Sequence, residues 1–119
     1  MLVVDDDANL RRRMGDALRH QGYRVTDAAN GADAMALLDR IRPDAIVLDL
    51  LMPVMHGWDF MEHYAEKTNG KPVPIVVVSV NPALPRSFDR FGVCEVLPKP
   101  FDVEVLVRSV AKATRTRRA

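Results

Sequence analysis

The sequence predicts an α/β domain built on a doubly wound, five-stranded parallel sheet with helices on both faces, and three observations carry that prediction. Short runs of branched apolar residues recur, too short for helices and apolar on both faces, as strands are when a parallel sheet is covered on both sides. The stretches between them place apolar residues at three- and four-residue spacing, so that strand and helix alternate along the chain. The length, 119 residues, is that of one domain, enough to bury roughly two thirds of the unfolded surface in a single core.

Leu2 to Val4 reads as the first strand. Leu10, Met14 and Leu18 then recur every four residues and predict the first helix, with Gly22 just past its end, where a left-handed cap suits glycine. The weaker alternating run Tyr23 to Thr26 predicts an edge strand. Ala34, Leu37, Leu38 and Ile41 predict the second helix, capped by Asn30 and closed by Pro43. Ala45 to Leu48 is the third strand, and Phe60, Met61 and Tyr64 place a helix over Asp59 to Lys67, ended by Asn69, Gly70 and Pro72. Ile75 to Val78 is the fourth strand and Val96 and Leu97 the last. Val103, Leu106, Val107 and Val110 form the stripe of the final helix.

Composition narrows the function classes. Apolar residues at 48% and charged residues at 28% are globular proportions and argue against disorder or a fibre. The 17 basic and 16 acidic side chains give +1, but Arg115, Arg117 and Arg118 lie in the last five residues, and without them 14 stand against 16, a net of −2. By charge the body is not a nucleic-acid binder, and the reading divides the chain into a domain over 1–114 and a basic tail over 115–119. One cysteine, Cys94, excludes an internal disulfide framework and a cysteine-rich zinc site, and points to a reducing compartment. No apolar stretch reaches the ~18 residues of a membrane span, and the short run Leu2 to Val4 gives way to acids rather than to a targeting segment. A soluble, cytoplasmic protein is the expectation. His20, His56 and His63 lack metal-ligand spacing.

In an open parallel sheet the binding crevice lies beyond the carboxyl ends of the strands. The first strand runs into Asp5, Asp6 and Asp7, the third into Asp49, the fourth into Ser79 and the last into Lys99. Carboxylates gathered at one rim repel; two charges ~4 Å apart cost about 4 kcal/mol at an effective dielectric near 20. A small oxygen-loving cation, Mg²⁺ or Mn²⁺, relieves that repulsion and keeps positions open for water and phosphate. Lys99 can pair with Asp49 at rest and with an incoming anion later, and the Ser79 hydroxyl can donate to a phosphoryl oxygen. The group that fits is a phosphoryl group, with the Asp49 carboxylate as its acceptor.

These residues resemble the receiver domain of two-component response regulators. The resemblance spans nearly the whole chain through LVVDDD at 2–7, DAIVLDLLMPVMHG at 44–57, PIVVVSV at 74–80 and LPKPF at 97–101. It implies a flavodoxin-like, CheY-like fold and phosphorylation of Asp49 by a histidine kinase or phosphotransfer protein. It implies Mg²⁺ held by Asp5, Asp6, Asp49 and the backbone carbonyl of Leu51, phosphoryl contacts from Ser79 and Lys99, and a cis Lys99–Pro100 bond. Such a domain is a phosphoacceptor rather than an enzyme, catalysing at most its own phosphorylation and dephosphorylation. A monomer or weak dimer is expected, with a downstream effector or output domain that the residues do not name.

The chain also departs from that family. Val80 stands where a small residue usually follows the switch hydroxyl, and Val96 stands where a Tyr or Phe usually turns inward on activation. The stretch from Ser79 to Lys99 is a residue or two short, and Pro82 and Pro85 fall where the helix between the fourth and last strands would begin. Proline inside a helix costs ~3 kcal/mol, so that helix is expected to be shortened, displaced or absent, and the output face atypical.

Blander readings stand beside these. Asp5 to Asp7 could cap the first helix, Trp58 and Phe60 are core residues, and His56 is a loop residue near the rim. Cys94 is expected to be buried beside the last strand with no base to activate it. Arg11, Arg12 and Arg13 are expected to form a solvated helix face, with kinase docking as the sharper reading, and the arginine tail a solvated helix end. The competing function is a degenerate receiver that works by protein contact without phosphate. A flavodoxin-like cofactor binder or small hydrolase is disfavoured, because acids occupy the loop where a bare phosphate needs glycines or a helix N-terminus.

Overall fold

A computed structural model describes residues 1–50, 57–68, 72–80 and 92–118. The described elements run β1 (Leu2–Val4), α1 (Ala8–His20), β2 (Thr26–Ala28), α2 (Gly31–Leu38), β3 (Ile46–Asp49), α3 (Gly57–Lys67), β4 (Ile75–Ser79), β5 (Val93–Pro98) and α4 (Val103–Arg118). The five strands form one parallel sheet in the order β2-β1-β3-β4-β5. The fold class read from the sequence is the one observed.

Strand geometry explains why the central runs are apolar throughout. Successive side chains point to opposite faces, so the sheet builds two cores. Leu2, Val4, Ile46, Leu48, Ile75 and Val77 pack on one side with Ala34 and Leu38 of α2 and Phe60, Met61 and Tyr64 of α3. Val3, Val47, Val76 and Val78 pack on the other with Met14 and Leu18 of α1 and Leu106, Val110 and Ala113 of α4. Burial of one such side chain is worth about 1.5–3 kcal/mol, which is how strands of three to six residues hold their places.

The helix ends follow their local chemistry. Asp7 caps α1, accepting from the Asn9 and Leu10 amides at 3.0 and 3.1 Å, and Gly22 sits beyond it at φ +95°. Asn30 caps α2 by accepting from the Asp33 amide at 2.8 Å.

Four expectations are corrected. The edge strand lies at Thr26–Ala28, three residues beyond Tyr23. After Gly22 the chain is still fastened to α1, the Tyr23 amide donating to the Leu18 carbonyl, and pairing with β1 begins only at Thr26 opposite Leu2. Helix α2 ends at Leu38 rather than Ile41, with Asp39 as its C-cap. The last strand is longer than Val96 and Leu97, starting at Val93. Cys94 is exposed, not buried: Val93 pairs with Ile75 but Glu95 with Val76, so the register skips Cys94, as an extra residue in one strand must. Its thiol is raised above the ordinary value by partial desolvation and the neighbouring Glu95 carboxylate, which leaves it a poor nucleophile.

Phe60 is fully buried, as expected. The Leu51 carbonyl, His56, the side chain of Trp58 and the segment with Pro82 and Pro85 lie outside the described residues.

Candidate functional site

Sheet order dictates where the polar residues meet. The chain leaves β1 toward β2 on one side and reaches β3 on the other, so the crevice opens at the carboxyl ends of β1 and β3. Asp5 follows β1 directly and Asp49 is the last residue of β3. Both are buried, as is Ser79 at the end of β4, whereas Asp6 is exposed. Carboxylate oxygens of Asp5, Asp6 and Asp49 all lie within 4.8 Å of one another.

Lys99, just past β5, reaches into this group. Its Nζ lies 3.1 Å from Asp5 Oδ2 and 3.2 Å from Asp49 Oδ2, and its backbone amide donates to the Ser79 carbonyl at 2.8 Å. That bond fastens the root of the side chain to β4, and the next peptide, Lys99–Pro100, is cis. Desolvation opposes the ammonium charge, but the hydrogen bonds and charges of Asp5 and Asp49 together outweigh it, and the Lys99 pKa is raised. The ammonium thus sits as a fixed positive charge between two buried carboxylates.

The first acidic run divides by role. Asp7 turns away to cap α1, while Asp5 is held on every side: its amide donates to the Ala28 carbonyl at 3.2 Å, and its Oδ1 accepts from the Asp7 amide at 2.9 Å. The capping reading therefore holds for Asp7, and Asp5 and Asp6 join the cluster. An all-carboxylate donor set suits a hard divalent cation such as Mg²⁺ or Mn²⁺ and not a soft metal.

One residue departs from the expected solvated setting. Arg11 is not part of a solvated face; it folds back onto Asp5, donating from Nη1 to its carbonyl at 2.7 Å. Arg12 and Arg13 are exposed as expected. Val80 is 64% exposed and lines, with Leu10, Arg13, Lys99 and Phe101, a cavity of about 400 Å³ beside the cluster.

Comparison with known proteins gives a consistent picture. Residues 1–111 match the family described as the response regulator receiver domain. The probable transcriptional regulatory protein TcrX of Mycobacterium tuberculosis is 34% identical over 98% of this chain and 50% of its own length. A response regulator MprA from a Mycobacterium species is 34% identical over 98% of this chain and 51% of its own. The chain thus spans about half the length of these curated relatives. Among solved structures, the Vibrio cholerae chemotaxis protein CheY4 is 30% identical with a TM-score of 0.83, covering 94% of this chain and 95% of CheY4. The response regulator TrrA of Thermotoga maritima, solved in complex with Mg²⁺ and BeF, is 25% identical with a TM-score of 0.80, covering 94% of this chain and 96% of TrrA. No described helix is long and apolar enough to cross a membrane.

Proposed function

Because this chain belongs to the response regulator receiver domain family, whose general role is phosphorylation-dependent switching, we propose that it is such a switch with Asp49 as phosphoacceptor. The donor is a histidine kinase or a phosphotransfer protein. Asp5, Asp6 and Asp49, with the Leu51 carbonyl that the family resemblance adds, would hold Mg²⁺ or Mn²⁺. One observation carries the reading: three acids from two strand ends meet within 4.8 Å, with the Lys99 ammonium already between two of them. The Mg²⁺ and BeF complex of the similar TrrA supports it.

An Asp49 carboxylate oxygen attacks the phosphorus, forming an O–P bond as the bond to the donor breaks and its electron pair leaves with the donor. A divalent cation held by the acid cluster would supply positive charge to offset that on the transferring oxygens. Lys99 exchanges part of its pairing with Asp49 for a phosphoryl oxygen, and the Ser79 hydroxyl donates to another. Burial of Asp49 and Asp5 strengthens each of these charges by excluding water. The domain, residues 1–114 with a basic tail over 115–119, acts as a signalling acceptor in the cytoplasm rather than as an enzyme with a separate substrate. It is a monomer or weak dimer whose receiver portion does not bind nucleic acid.

A second reading is a degenerate receiver that signals by contact without phosphate. Val96 favours it: a half-buried valine packed against the core of the α2 and α3 face occupies the place of the family's switch aromatic. Intact-mass measurement after incubation with a small phosphodonor and Mg²⁺ separates the two. Wild type gains one phosphoryl group and Asp49→Asn none. Equal addition to both, or no addition even from a cognate kinase, contradicts the switch.

A further inference from the structure

Arg11 sits in a run of three arginines but behaves unlike its neighbours. Its side chain is only 19% exposed. While Nη1 holds the Asp5 carbonyl at 2.7 Å, Nε lies 3.9 Å from Asp27 Oδ1 in β2. One guanidinium therefore ties α1 to the end of β1 and to the neighbouring edge strand. A 2.7 Å contact is at the short end for a charge-assisted hydrogen bond, and the planar fork fixes direction where a lysine ammonium would not. The Asp5 amide and both of its carboxylate oxygens have partners in Ala28, Asp7 and Lys99. Its carbonyl is the remaining polar atom, and Arg11 takes it.

We propose that Arg11 is a positioning residue for the acid cluster: by clamping the Asp5 peptide against β2 it holds Asp5 and Asp6 at the spacing a divalent cation requires. The inference rests on the cation-binding role given to that cluster above. Charge alone makes the opposite prediction. A guanidinium beside a cation site repels the cation, so removing it should tighten binding, whereas loss of a positioning contact should weaken it. Contacts that orient metal ligands typically carry 10–100-fold in affinity.

The test is calorimetric titration of the full chain with MgCl₂ at neutral pH, with folding checked by circular dichroism and urea. Arg11→Met and Arg11→Gln are both neutral, so either decides the question if the other fails to fold. Each is expected to bind Mg²⁺ about tenfold more weakly than wild type, and Arg11→Lys, which restores a donor but not the fork, to recover part of the loss. Gly92→Ala, at the other end of the sheet, serves as a destabilised control and should keep wild-type affinity. Equal or tighter Mg²⁺ binding in the neutral variants overturns the positioning role, as does an equal loss in the control. Asp6→Asn marks the separate failure: if it binds as well as wild type, or wild type does not bind at all, the cation site is wrong and the role of Arg11 falls with it.

Discussion

Asp6 and Asp7 are adjacent acids held to different tasks, and single substitutions should separate them. The Asp7 carboxylate accepts two amides of the first turn of α1, so Asp7→Ala should cost about 1 kcal/mol. Asp6 contributes an oxygen to the acid cluster, so Asp6→Asn should weaken Mg²⁺ binding while leaving stability unchanged or improved. Urea unfolding and Mg²⁺ titration on both variants check the division; a swap of the two effects contradicts it. Lys99 makes a different prediction, with pH. Its pKa is raised in the folded chain, so its contribution is complete below the unfolded value near ~10.4 and is lost as pH rises through the higher folded value. Stability should fall in that alkaline window. Lys99→Arg, which stays charged there, should lack that step, and an identical fall in both proteins contradicts the assignment. The sequence showed Asp5, Asp49, Ser79 and Lys99 because each directly follows or ends an apolar strand. Arg11 was hidden because a long side chain in a run of like charges gives no sign of which one folds inward.

At the scale of elements, the strands with strong apolar runs were legible and the marginal ones were not. β1, β3 and β4 are interior strands whose every residue is buried, so hydrophobicity alone located them. β2 and β5 are the edges, and their limits depend on register: Thr26 opposite Leu2 in one, the skip at Cys94 in the other. Neither choice is written in residue type. The turn into β5 has its own requirement. Gly92 has φ +90°, and a Cβ there would stand 2.8 Å from the Val73 carbonyl oxygen and 3.0 Å from Pro72 Cγ, while its own carbonyl accepts from the Ile75 amide at 2.8 Å. Gly92→Ala should therefore cost on the order of 2 kcal/mol through backbone strain and a clash that rigid backbone cannot relieve. A change in urea midpoint measures it, and a neutral substitution contradicts the described turn.

For the molecule as a whole, a net charge of +1 conceals a strongly polarised arrangement. Two cores hold the sheet from both sides, and among the described residues the edge where buried carboxylates gather is the edge where an ammonium is held against them. Such a rim is poised for a cation and then for an anion carried with it, which is the central claim about this domain. Trapping the product at its atom tests that claim most directly. Borohydride reduces an aspartyl phosphate to homoserine, so peptide mass mapping after phosphodonor, Mg²⁺ and borohydride treatment reports which residue was phosphorylated. The account predicts homoserine at position 49, dependent on Mg²⁺ and abolished by a chelator. Homoserine at position 5 or 6 instead, or labelling at 49 that is indifferent to the metal, would contradict it.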